Sequence, residues 1–138
     1  MEPEKINHPH LTAIKRTALS APARYLLQHY LLQGRILDFG CGFGYDTDEL
    51  RRMGYDITGY DNYYRTELPE GKFDTILCIY VLNVLEPYAQ AEALMQVTHL
   101  LSPGGKAYFA VRRDLKEEGF RSVSYTHLRA HETGAYLV

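Results

Sequence analysis

The stretch that decides the reading is RILDFGCGFGYDTDEL, residues 35–50. An apolar run, Ile36 and Leu37, leads into Asp38, and glycines then stand at alternate positions, Gly40, Gly42 and Gly44. A short apolar run stopped by glycine suits a buried strand. Beyond it, DTDELRRMG reads as a helix: Asp46 and Asp48 stand in the first turn, Arg51 and Arg52 near the end, and Gly54 follows. A glycine loop between strand and helix suits a nucleotide-like ligand. The spacing argues against two versions of it. A G-x-G-x-x-G dinucleotide loop needs its third glycine at Tyr45, and a phosphate-binding loop needs a Gly-Lys-Ser or Gly-Lys-Thr that does not follow.

Downstream, YDITGYD (55–61) alternates as a second strand and ends at Asp61, 21 residues beyond Gly40. An acid there can accept two hydrogen bonds from a ribose diol. NYYRTELPEGK (62–72) is a loop too short for a helix and another strand. FDTILCIYVL (73–82) is the third strand and runs into a turn at Asn83. Pro87 opens a helix through Leu101 with Ala91, Leu94, Met95 and Thr98 as its expected inner face. SPGG (102–105) reads as a turn and KAYFAV (106–111) as the fourth strand. Upstream, Ser20 caps a helix carrying Pro22 in its first turn, with Leu26, Leu27, Tyr30 and Leu31 at helical spacing and Gly34 ending the segment. Strands alternating with helices imply an α/β fold with a mostly parallel sheet.

The 138 residues suffice for one domain with a modest core. A net charge of −2 and 46% hydrophobic residues exclude a disordered chain and a general polyanion binder. No stretch of the sequence reads as a membrane span or a leader, so the expected location is cytoplasmic, away from membranes. Cys41 and Cys78 read as reduced, buried thiols.

ILDFGCGFG, GYDITGYD, FDTILCIYVLNVLE and LLSPGGKAYFAV, in that order and spacing over about residues 34–113, resemble class I S-adenosylmethionine-dependent methyltransferases. The resemblance implies a three-layer Rossmann-like sandwich, S-adenosyl-L-methionine as cofactor, and methyl transfer to an unidentified acceptor. Gly40, Gly42 and Gly44, with Cys41 among them, would line the methionine and ribose of that cofactor. It would place Asp38 near the amino group, Asp61 on the ribose hydroxyls, Asn62 and Tyr63 beside the adenine, and Ile79 and Tyr80 at the sulfonium end. Two other readings stay open: a non-catalytic cofactor- or partner-binding module, and a nicotinamide-dependent oxidoreductase.

Methyl transfer from a sulfonium demands no catalytic triad or metal, and the sequence contains no pattern for either. His8 and His10 stand two apart without further ligands near them, so no metal site is read there. Asn83 is the one polar residue in its turn, a candidate substrate contact as well as a turn former. Arg16 belongs to a mildly basic segment with Lys15 and Arg24, either solvated charge or a contact to an acidic substrate. Where amino-directed DNA methyltransferases carry Asp/Asn-Pro-Pro-Tyr/Phe, this chain has IYVLNVLE (79–86), so a nucleic-acid acceptor is not supported.

After residue 122 the pattern changes. VSYTHLRAHET (123–133) resembles the translation of a sequencing-library adapter, and residues 123–138 are read as a non-native tail, His127 and His131 included. The expected organisation is therefore an N-terminal segment and helix (1–33), a C-terminally truncated cofactor-binding core (34–122), and the tail. The last antiparallel strands of the class I sheet are expected to be missing, which would leave an open edge beside residues 106–111.

Overall fold

The computed structural model describes residues 17–112 and the backbone of 135–137. Arg16, His8, His10 and the adapter-like stretch 123–133 lie outside the described residues. The elements are α1 (Ala21–Gln28), β1 (Arg35–Phe39), α2 (Tyr45–Arg52), β2 (Asp56–Tyr60), β3 (Phe73–Ile79), α3 (Pro87–Leu100), β4 (Leu101–Ala110) and β5 (Ala135–Leu137). The sheet runs β2-β1-β3-β4-β5, with the first four strands parallel and β5 antiparallel.

Alternate strand residues serve opposite faces, which makes the fold three-layered. Ile36, Ile57, Leu77 and Tyr108 pack with Leu26 of α1 and Leu50 of α2. Leu37, Ile76, Cys78 and Phe109 pack with Ala93 and Val97 of α3. The parallel α/β sandwich expected from the alternating elements is the one observed.

Several local expectations are corrected. The first helix stops at Gln28 rather than running toward Gly34, because Tyr30 turns left-handed (φ 57°) and the Leu31 N–H donates to the Leu26 carbonyl at 3.0 Å. That reversal delivers Leu32 into the core. The third strand stops at Ile79, where Tyr80 takes φ 60°, and a 3₁₀ turn over Leu82–Val84 follows. On α3 the buried positions are Ala93 and Val97, with Leu94 half-buried; Ala91 and Thr98 are exposed and Met95 is 70% exposed. Apolar residues occur on nearly every side of that helix, so periodicity alone defines no unique face.

SPGG is not a separate turn. It is absorbed into β4 as an irregularity, since Phe73 pairs with Leu101 while Thr75 pairs with Lys106. The edge beside residues 106–111 is likewise not fully open, for β5 pairs Ala135–Leu137 with Tyr108–Ala110. At the opposite edge, the Arg51 guanidinium donates to the Ile57 carbonyl at 3.2 and 2.8 Å, occupying an acceptor of β2. The β2–β3 loop is drawn in by Arg35, whose guanidinium donates to the carbonyls of Lys72 (2.7 Å) and Glu70 (3.0 Å) and lies over the Phe73 ring.

Candidate functional site

The strand order reverses at β1: one connection leads to β2 on one side, the next to β3 on the other. Open parallel sheets bind ligands outside the carboxyl ends of their strands at such a switch point. A cavity of about 530 Å³ opens there, within the ordinary range for ligand pockets. The ends of β1, β2 and β3 reach it through Phe39, Tyr60 and Ile79, and Arg112 reaches it from just beyond β4.

Of the residues singled out in the sequence, Asp38, Gly40, Cys41, Asp61, Asn62, Tyr63, Ile79, Tyr80 and Asn83 line this cavity. Gly42 and Gly44, also expected to line the site, are not among its lining residues. Gly40 has φ 81°, and a Cβ there would strike Val81, so the chain must be bare as it leaves β1. Its N–H and that of Cys41 both donate to the Tyr60 carbonyl, at 2.7 and 3.0 Å, binding the loop to the end of β2.

Asp61 organises the junction. Its Oδ2 accepts from the Gly42 N–H at 2.9 Å, while Oδ1 accepts from the N–H groups of Tyr63 (2.9 Å) and Tyr64 (3.1 Å). Each carboxylate oxygen carries two lone pairs, so Oδ2 retains capacity for a further donor from the cavity. The Tyr60 hydroxyl donates to Asn62 Oδ1 at 2.8 Å, fixing the next residue on the wall.

Asp38 is buried, and its Oδ2 accepts from the Thr47 hydroxyl at 2.8 Å. Burial pushes its carboxyl up to about 7, aided by the nearby charges of Asp46 and Asp61 and opposed by the Thr47 hydroxyl and the Arg65 guanidinium. Cys41 is half-buried at the cavity wall, not buried as the sequence suggested; its partial burial and the charges of Asp38 and Asp61 push the thiol up to about 12, which keeps it protonated at neutral pH.

Three contributors were not legible in the sequence. Ser20, buried, uses its cap twice: its hydroxyl accepts from Ala23 N–H at 3.3 Å and donates to Asp46 Oδ2 at 2.6 Å, while its own N–H donates to Asp46 Oδ1 at 2.9 Å. The starts of α1 and α2 are thereby joined at the cavity rim. Arg65 donates through both Nη atoms to Asp48, at 2.9 and 2.8 Å, and through Nη2 to the Phe43 carbonyl at 3.0 Å. That fork holds the Asp48 carboxyl below its usual range. Arg112 brings a cation to the cavity and lies 5.3 Å from the Tyr80 ring centre. Only the Ser20–Pro22 capping signal hinted at any of them.

A second cavity, about 380 Å³, opens between α1 and the strands. Tyr25, Ile79 and Tyr108 line it, and no carboxylate does. Asp38, Asp46, Asp61, Gly40 and Cys41 line the first cavity and not this one.

A family model described as a methyltransferase domain matches residues 11–135. The chain belongs to the methyltransferase-domain family. A ubiquinone biosynthesis O-methyltransferase of Nitrosococcus oceani is 33% identical over 113 aligned positions, covering 62% of this methyltransferase domain and 47% of that protein. The domain thus spans about half the length of the curated relative it matches. Among solved structures, Burkholderia thailandensis 1,6-didemethyltoxoflavin-N1-methyltransferase, bound to 1,6-didemethyltoxoflavin and S-adenosylhomocysteine, matches with TM-score 0.56 at 24% identity, over 70% of this chain and 53% of that one. A glycopeptide N-methyltransferase complexed with S-adenosylhomocysteine matches with TM-score 0.54 at 16% identity, over 70% and 50% of the two chains. These two likenesses establish the fold, a Rossmann-like class I methyltransferase sandwich. Among the described residues, no helix of the domain is long and apolar enough to cross a membrane.

Proposed function

We propose that this chain binds S-adenosyl-L-methionine in the 530 Å³ cavity and forms the cofactor half of an enzyme that transfers its methyl group to an acceptor. The observation that carries the reading is Asp61, held at the cavity wall by the glycine-loop amide of Gly42 with acceptor capacity to spare. Family membership supports it.

The residues present fit such a group. In this reading Asp61 accepts the ribose hydroxyls, Asn62 and Tyr63 border the adenine, and Asp38 meets the amino group. An ammonium beside Asp38 favours its ionised form and so draws its pKa back down from about 7. Gly40 and Cys41 meet the methionine and ribose, the Gly42 amide holds Asp61, and Ile79 and Tyr80 flank the sulfonium end. The bound cofactor supplies a methyl group already activated on a sulfonium. The chain's part is then to hold donor and acceptor in line, an effect that can reach about 7–11 kcal/mol in well-oriented systems. The tyrosine faces at 60 and 80 suit a neighbouring cation.

The acceptor is not carried over from the relatives, whose names refer to ubiquinone biosynthesis, 1,6-didemethyltoxoflavin and a glycopeptide. Polar side chains on the cavity wall that would meet it include Asn83 in the turn after β3, Glu92 and Gln96 of α3, and Arg112 beyond β4.

Equilibrium titration with S-adenosylmethionine, S-adenosylhomocysteine and NADH tests the reading. Both sulfur nucleosides are expected to bind; binding of NADH with neither of them would overturn it. The second reading is a binding module that holds the cofactor without transferring its methyl group. Labelled-methyl incorporation from S-adenosylmethionine into extract components separates the two: incorporation supports the enzyme, and binding without incorporation supports the module.

A further inference from the structure

The alternate glycines leave one position without a ligand role. Gly44 does not line the cavity, yet it has φ 88° and precedes the first residue of α2. What occupies the space of its absent side chain is Arg65: a Cβ on Gly44 would strike Nη2, Cζ and Nε of that guanidinium. Arg65 passes through the gap to reach Asp48 on α2 and the Phe43 carbonyl in the glycine loop.

The other end of Arg65 is tied to Asp61. The Asp61 N–H donates to the Arg65 carbonyl at 2.8 Å and the Arg65 N–H to the Asp61 carbonyl at 3.3 Å, closing the turn DNYYR into a small loop. Within it, Oδ1 of Asp61 takes the Tyr63 and Tyr64 amides, and Oδ2 points back to Gly42. The Phe43 and Tyr64 rings meet with centroids 4.5 Å apart. The carboxylate of Asp61 is thus held from both sides, by its own turn and by a side chain that anchors the turn to α2.

We propose that Arg65 is the positioning residue of this site: its fork on Asp48 and Phe43 sets where the Asp61 carboxylate faces the cavity, and Gly44 is glycine to let that fork through. The proposal rests on the reading of the cavity as a nucleoside site, with Asp61 on the ribose diol. Arg65 acts through Asp61, not by touching the ligand. A planar fork making parallel bonds to a carboxylate fixes orientation in a way an ammonium does not.

The test uses the full chain, with S-adenosylhomocysteine, adenosine and 2′,3′-dideoxyadenosine as probes in equilibrium titrations. The wild type is expected to prefer adenosine over the dideoxy compound by about tenfold, in line with the cost of leaving buried hydrogen-bonding groups unmatched. Arg65→Met is expected to weaken S-adenosylhomocysteine at least several-fold and to bring the adenosine preference close to one. A purely structural role would lower both nucleoside affinities together and keep their ratio. Arg65→Lys, which keeps the charge and serves should the methionine variant not fold, is expected to restore less than half of the preference.

A double-mutant cycle reads the Gly44 contact. Alanine in place of Gly44 carries its backbone strain in either background, so that part cancels, whereas the collision with the guanidinium exists only when Arg65 is present. Gly44→Ala is therefore expected to cost less binding in the Arg65→Met background than in the wild type. Additive effects, or an unchanged adenosine preference in both Arg65 variants, overturn the proposal while leaving the nucleoside site standing. A wild type that binds none of the probes overturns the site reading, and this proposal with it.

Discussion

The substitution Asp38→Asn should stabilise the ligand-free protein near neutral pH. The carboxamide keeps the shape of the carboxyl and an oxygen for the Thr47 hydroxyl, which donates to Asp38 Oδ2 at 2.8 Å in the wild type, but it carries no charge. The wild-type carboxyl moves from 3.8 to about 7 on folding, chiefly because it is buried, with Asp46 and Asp61 adding to the rise. Between those values the native state keeps a proton that the unfolded chain has released. Native stability is therefore lost as pH rises through that window and is fully present below it. A shift of about three units is worth about 4 kcal/mol at about 1.4 kcal/mol per unit. Urea unfolding followed by far-UV circular dichroism at about pH 4 and about pH 8 gives the wild-type-minus-variant difference, in which the other titrating groups cancel. It should fall by about 4 kcal/mol across that range. Because burial is the leading cause, added salt should recover little of it. A difference that changes by less than about 1 kcal/mol would refute the assignment of Asp38 as a carboxylate held at the cost of its ionisation.

Three further outcomes are expected. Asp61→Ala should weaken S-adenosylhomocysteine binding by about 1–3 kcal/mol in calorimetric titration, since it strands ribose hydroxyls and releases the Gly42, Tyr63 and Tyr64 amides; an unchanged dissociation constant would sink that role. Ile76→Ala, at a fully buried position of β3, should lower unfolding stability by about 2–5 kcal/mol in urea, and a loss under about 1 kcal/mol would contradict the packing described. Cys78, fully buried and with its thiol pushed up by that burial, should react with a thiol-specific disulfide reagent far more slowly in native than in urea-unfolded protein at mildly alkaline pH. Equal rates for Cys78 in the two states would show that its thiol is open to solvent.

The strands, the glycine loop and the acid at the end of β2 could be read from the chain because each is a local pattern with a short physical cause. An apolar run stopped by glycine at Gly40, acids then arginines along 46–52, and alternation into Asp61 each need only neighbouring residues. Boundaries were less legible. Tyr30 and Tyr80 carry a left-handed backbone with side chains that do not announce it, so α1 and β3 stop sooner than their apolar residues suggest. The inner face of α3 escapes sequence reading because Ala91, Ala93, Leu94, Met95 and Val97 spread over most of the helix, and the narrow polar strip of Glu92, Gln96 and His99 excludes too little of it.

The order of the four parallel strands and their helices, the parallel α/β class and the position of the glycine loop opposite Asp61 were legible in the sequence alone. Those follow from periodicity and from the backbone freedom of glycine, both encoded within a few residues. Only the tertiary structure decided the division of labour within that loop. Gly40 yields space at the cavity, Gly42 lends its amide to Asp61, and Gly44 makes way for a guanidinium 21 residues further along the chain. Likewise only burial, a property of the assembled layers, separates Asp38 from its neighbour Asp48: one carboxyl is raised by loss of water, the other lowered by the Arg65 fork. Residues that meet across such sequence distances leave no mark in local spacing, because what brings them together is the packing of the sheet against its helices.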